Sequence, residues 1–215
     1  MKKRYILIDS VYINSGGGKE ILNHIIKYIL DRHDINKYFF LLDERFELKN
    51  KQIDFLQIHA NEKNRKNFYL SNKNNFNSIV CMSNVPPPIN IENAPVSVYF
   101  HNDLLLNPIK SNVGVLTILK NLLKKQYIKS KNKKKYSWIV QTKLMKTKLE
   151  KFLNIKNEKI KILPIIEFQD YKTPIKKKNK FVFVSNFSNH KNHFKLFQAF
   201  KDACKEKSYD IELNL

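Results

Sequence analysis

Short apolar runs separated by amphipathic stretches follow one another along the chain. Nine runs read as strands, at residues 5–8, 38–42, 55–58, 78–82, 96–100, 138–140, 160–163, 181–184 and 211–215. Several are continuous and rich in β-branched or aromatic residues, as strands covered on both faces should be. Between them lie helical patterns. Residues 19–30 put Ile21, Leu22, Ile25, Ile26 and Ile29 on one face. Residues 143–153 do the same with Leu144, Met145, Leu149, Phe152 and Leu153, behind Thr142 as N-cap. Residues 192–205 align Leu196, Phe197, Phe200, Ala203 and Cys204. Strands alternating with helices predict an α/β fold with a doubly wound, parallel, Rossmann-like sheet.

The pattern also suggests boundaries. Pro86-Pro87-Pro88 reads as a stiff surface connection. Residues 164–180 carry Pro164, Pro174 and the run Lys176-Lys177-Lys178 with little periodicity, and read as an interdomain linker. A first Rossmann-like domain over 1–163 and an incomplete second one over 181–215 are expected. The 35 residues after the linker suffice for strand, helix and strand, a unit too small to cover both faces of its sheet.

Composition narrows the function classes. The net charge is +21, yet only four of the 40 basic residues are arginine: Arg4, Arg32, Arg45 and Arg65. Readers of nucleic acid favour the bidentate arginine fork, so no nucleic-acid partner is expected. Lysine with abundant Asn and Ile fits compositional drift, and beyond that attraction to anionic lipid or anionic substrates. No apolar stretch of 18 residues is present, and the N-terminal run is too short for a signal core. Cys81 and Cys204 have neither metal-ligand spacing nor a disulfide framework, so a reducing cytoplasm is the expected setting.

Four segments could carry chemistry. Asn14-Ser15-Gly16-Gly17-Gly18-Lys19-Glu20 follows the first strand, and its glycines let backbone N–H groups approach an anion at a helix start. It matches neither G-x-G-x-x-G nor a P-loop, and a plain tight turn would look the same. His101, followed by Asn102 and Asp103, ends a buried strand, where open α/β sheets bind ligands. The imidazole there could act as base or orienter toward a hydroxyl, or cap a loop. Asp103 reads first as a helix N-cap. Ser185 to His193 runs from a strand into a helix, with Lys191 at the helix start and Asn186 in the loop. His190 and His193 lack a third ligand, so no metal is expected. Residues 113–135 form a helix whose apolar face holds Val115, Leu116, Ile118, Leu119, Leu122, Leu123, Tyr127 and Ile128 beside many lysines. Core packing is the first reading of that face; an anionic membrane is the second.

In order and spacing these segments resemble a glycosyltransferase of the family 4 type, with the GT-B fold of two Rossmann-like domains. The likeness covers residues 6–30, the stretch Trp138-Ile139-Val140-Gln141-Thr142 through Leu163-Pro164, and residues 181–200; it is weak around 43–77. It implies transfer of a glycosyl group from a nucleotide sugar to a glycan or lipid-linked acceptor, with retained anomeric configuration. No cofactor or metal is implied, and the setting would be surface polysaccharide synthesis such as capsule or lipopolysaccharide. Gly16, Gly17, Gly18, Asn186 and Lys191 would then border the donor phosphates. Asn186 stands where many members have arginine. His101 would be the cleft histidine, with Asn102 and Asp103 on the acceptor side. The family's paired glutamates are absent from residues 1–215, which suggests a truncated chain, inactive alone, peripheral at the inner face of the cytoplasmic membrane. The alternative is a non-catalytic basic binding module or partner subunit at an anionic membrane or on nucleic acid.

Overall fold

A computed structural model describes residues 5–49, 52–106, 115–164, 180–185, 191–206 and 212–214. Its chain divides into two compact units, Met1–Leu106 with Lys120–Ile165, and Asn107–Leu119 with Ile166–Leu215.

In the first unit the elements are β1 (Tyr5–Ser10), α1 (Gly16–Asp31), β2 (Tyr38–Asp43), β3 (Asp54–Ile58), α2 (Glu62–Asn72), β4 (Phe76–Cys81), β5 (Val96–Tyr99), α3 (Asp103–Leu106), α4 (Val115–Lys131), β6 (Ser137–Val140), α5 (Lys143–Leu153) and β7 (Ile160–Ile162). The first five residues of α4 fall in the second unit. The seven strands form one sheet in the order β3-β2-β1-β4-β5-β6-β7. Every neighbouring pair is parallel. The fold is thus α/β and doubly wound, with strand order reversing between β1 and β4, the arrangement of Rossmann-like sheets.

The two sheet faces follow from residue alternation along each strand. Ile8 of β1 joins Phe40 and Leu42 of β2 under Ile21, Leu22, Ile26 and Ile29 of α1. Leu7 of β1 joins Ile79, Val98 and Trp138 under Phe68 and Tyr69 of α2, Ile128 of α4 and Leu149 of α5. Thr142 caps α5 as its sequence suggests, its hydroxyl accepting from Met145 N at 3.2 Å.

Three sequence expectations need correction. Pro86, Pro87 and Pro88 are buried within the first unit, on the β4–β5 connection, and mark neither surface nor boundary. Apolar rings pack well in a long crossover that has no helix to cover the sheet. Second, α2 is a helix beyond those expected, hidden because its inward side carries Arg65 beside Phe68 and Tyr69. Third, the apolar face of α4 is mostly not core: Ile128 is buried, but Val115, Leu116, Leu119, Leu122 and Leu123 are exposed.

In the second unit β8 (Lys180–Val182) and β9 (Glu212–Asn214) pair in parallel, joined through α6 (His193–Glu206). Phe181 meets Phe200 of α6 edge-on at 6.0 Å. The expected linker over 164–180 lies, apart from its two ends, outside the described residues.

Candidate functional site

Three loops meet at the carboxyl edge of the sheet, beside the β1/β4 reversal: those after β1, β4 and β5. The first runs into α1. Ser15 occupies the N-cap position, with extended backbone, but its side chain makes no capping bond. The glycines are not a loop ahead of the helix; they form its first turn. Gly16 has φ +61°, a conformation that penalises a side chain. A Cβ at Gly16 or Gly17 would meet nothing within 4 Å. A Cβ at Gly18 would lie 3.4 Å from Ile13 and 3.6 Å from His101 Nε2. The first and second predicted segments therefore converge, with the imidazole against the start of α1.

His101 is held from behind. Asn84, in the loop after β4, has φ 66° and accepts from the backbone N–H groups of His101 and Asn102 at 2.7 and 3.1 Å. The His101 ring stacks on Tyr99 at 5.5 Å between centroids. Burial lowers the His101 pKa, so the ring is neutral at neutral pH. Among the described residues its buried Nδ1 has no hydrogen-bond partner, and neither does the hydroxyl of Ser10 at the end of β1. A neutral imidazole with Nε2 beside the first turn of a helix can accept a proton or hold a hydroxyl near an anion. Asp103 does not act as an N-cap. It is the first residue of α3 and pairs with Lys148 of α5 at 2.6 Å.

On the other sheet face the same edge carries a buried polar network that the sequence did not reveal. Asp9 of β1 accepts from Arg65 Nε at 2.8 Å and from the Tyr69 hydroxyl at 2.7 Å. Arg65 Nη2 also lies 2.8 Å from Asp9 and donates to Val85 O at 3.3 Å. Cys81 Sγ is 3.9 Å from Asp9, and burial first, then the Asp9 charge, pushes its pKa up to about 12. Glu62 extends the network outward. It accepts from Arg65 Nη1 at 3.3 Å and from the hydroxyls of Tyr12 and Tyr127. Burial and these bonds to Glu62 raise both tyrosine pKa values, so both hydroxyls stay protonated donors. Tyr12 lies in the β1–α1 loop, and its N–H donates to Ser83 Oγ at 3.4 Å. The network thereby fixes the root of the glycine turn. The one sequence signal for it was the rarity of arginine.

Asp43 ends β2, where dinucleotide sites of this topology place a ribose-binding acid. Here its oxygens already accept from Arg45 Nε, Nη2 and backbone N at 2.9, 2.7 and 3.0 Å. A groove of about 790 Å³ lies away from this edge, lined by Glu20, Asn23, Lys27 and Asp31 of α1 with Leu48 and Lys49. Its mixed charges and open shape include none of the converging groups.

In the second unit Lys191 is exposed and sits two residues before α6, beside Asn192 with φ 55°. His193 is buried at the head of α6; its Nε2 lies 3.1 Å from Ser185 Oγ and its ring packs edge-on against Phe183. Asn186 and His190 lie outside the described residues.

No family model matches the chain, and no curated protein matches it. Among solved structures it is similar to one of the wall teichoic acid polymerase TagF, at 14% identity and a TM-score of 0.45. That likeness covers 76% of this chain, which spans about 38% of the TagF chain's length.

Proposed function

We propose that this chain is part of a nucleotide-sugar-dependent glycosyltransferase of GT-B type. The first unit would hold the acceptor and the second would bind the donor. The observation that carries the reading is the approach of His101 Nε2 to the glycine turn of α1, at the strand-order reversal where sheets of this kind bind ligands. The ordered sequence segments support it.

In the reaction an acceptor hydroxyl oxygen bonds to the anomeric carbon. The bond from that carbon to the donor phosphate oxygen breaks, and the nucleoside diphosphate leaves with the electron pair. His101, neutral in this setting, orients the hydroxyl and takes its proton. The first turn of α1, with Gly16, Gly17 and Gly18, faces the anionic part of a substrate. In the second unit Lys191, before the N-terminus of α6, would be the cation that binds a donor phosphate. Asn102, beside His101, would contact the acceptor, and Asn186 the donor phosphates. The acceptor would be a glycan or lipid-linked sugar, and no cofactor or metal enters the scheme.

Calorimetry with UDP-, GDP- and ADP-sugars on the full-length protein identifies the donor, and labelled-sugar transfer then gives the turnover. His101→Asn should lower turnover by about 10²–10⁴-fold with donor affinity unchanged. Lys191→Ala should weaken donor binding. Equal turnover in wild type and His101→Asn would refute the role given to the histidine.

A further inference from the structure

Left-handed backbone at a residue with a side chain has to be explained where it occurs. Asn154 ends α5, where that conformation is ordinary. Asn84, with φ 66°, instead lies in the connection after a strand, β4. Its backbone N–H donates to Tyr99 O at 3.3 Å, beyond the β4–β5 ladder, which closes at Cys81 and Val98. Its side chain then acts on the next two residues of the neighbouring chain. Successive N–H groups of an extended strand point to opposite sides. Those of His101 and Asn102 both meet Asn84 Oδ1, at 2.7 and 3.1 Å. The backbone therefore turns at His101, around one amide oxygen seated in two converging N–H groups. The connection that carries this oxygen is tied down on both flanks. Ser83 Oγ accepts from Tyr12 N in the β1–α1 loop at 3.4 Å, and Val85 O accepts from Arg65 Nη2 at 3.3 Å. Three consecutive residues thus join the loop ahead of the glycine turn, the turn at His101 and the buried arginine.

We propose that Asn84 is a positioning residue of this site: its amide oxygen fixes the turn at His101 and thereby sets where the imidazole stands against the first turn of α1. The stacking of the ring on Tyr99 and the approach of Nε2 to within 3.6 Å of a Cβ at Gly18 both depend on that turn. Asparagine suits the place twice. It tolerates left-handed backbone better than most residues, and it supplies the acceptor. The catalytic use of this placement rests on the glycosyltransferase reading; the placement itself does not.

The test follows the histidine rings of the whole chain by NMR, with carbon-13 at Cε1 and the His101 signal assigned by its loss in His101→Asn. Asn84→Gly keeps the backbone conformation and removes the acceptor. The His101 ring proton should lose the shift it owes to the Tyr99 ring, and its pKa, lowered by burial, should rise toward the ordinary 6.5. Asn84→Asp keeps the acceptor and adds a negative charge, so the ring shift should remain while the pKa rises. Trp138 emission checks that each variant is folded. In labelled-sugar transfer Asn84→Gly should lower turnover by about 10²-fold with donor affinity unchanged, and Asn84→Asp should lose less. Wild-type ring shift and pKa of His101 in Asn84→Gly overturn the proposal. So does loss of the ring shift in a folded Asn84→Asp protein, the variant that decides if Asn84→Gly does not fold. Equal turnover in wild type and His101→Asn, with both NMR results as expected, would remove the catalytic reading and leave the positioning role standing.

Discussion

Arg65 offers the sharpest test of the physical account. Its side chain and that of Asp9 are each 1% exposed. Replacing Arg65 with Met keeps much of the volume but, among the described residues, leaves the Asp9 carboxylate with only Tyr69 and Cys81 as side-chain hydrogen-bond partners. Breaking a buried ion pair on one side costs about 3–5 kcal/mol. Lysine keeps the charge but not the fork that reaches Asp9, Glu62 and Val85 together, so Arg65→Lys should cost about 1–2 kcal/mol. Removing both charges in Asp9→Asn/Arg65→Met should recover part of the loss, because no unpaired ion remains. Trp138 is the chain's only tryptophan, fully buried in β6, so its emission reports unfolding of the first unit alone. With a urea slope of about 2 kcal/mol/M, Arg65→Met should lower the midpoint by about 1.5–2.5 M. Equal midpoints for the Met and Lys variants, or a double variant no more stable than Arg65→Met, would refute the claim that this pair organises the carboxyl edge.

Other outcomes follow from the same structure. His101 has a folded pKa below its ordinary 6.5. The unfolded chain therefore binds more protons as pH falls through 6.5, and stability should drop below that pH toward the folded pKa. Urea midpoints measured from pH 5 to 7.5 should show that slope shrinking in His101→Asn. Cys81 is buried with its thiol pKa pushed up, while Cys204 is half-buried. A thiol reagent at pH 8 should label Cys204 first and reach Cys81 only on unfolding. Gly16→Ala should destabilise by about 1 kcal/mol because of the positive φ, whereas Gly17→Ala should be neutral or stabilising by up to about 1 kcal/mol. The same denaturation curves measure both.

The strands were legible because parallel strands covered on both faces must be apolar throughout, and runs such as Tyr38 to Leu42 have few other uses. Helix α5 was legible to the residue through Thr142 and the spacing of Met145 and Leu149. What escaped was polar burial. An inward-facing arginine breaks the apolar stripe by which a helix is recognised, so α2 and its network stayed hidden. Neighbouring strands were equally out of reach. Nothing local in residues 14–20 or near His101 says that β1 and β5 flank the same strand, which is what brings Gly18 to the imidazole. The leucines of α4 erred in the opposite sense, since an apolar stripe looks alike whether it meets core or solvent.

The order of the sheet also bears on synthesis. β1 is an interior strand, made before both of its neighbours, β2 on one side and β4 on the other. Ile8 pairs with Phe40 early, but its other edge waits for Val80. At translation rates of about 5–20 residues per second, roughly 70 residues take about 4–14 s to follow β1 off the ribosome. During that interval a nascent chain rich in apolar strand carries an open edge at what will become its centre. The dispersed lysines, whatever their origin, keep such chains apart by like-charge repulsion until α2 arrives with Arg65 and β4 can close beside Asp9.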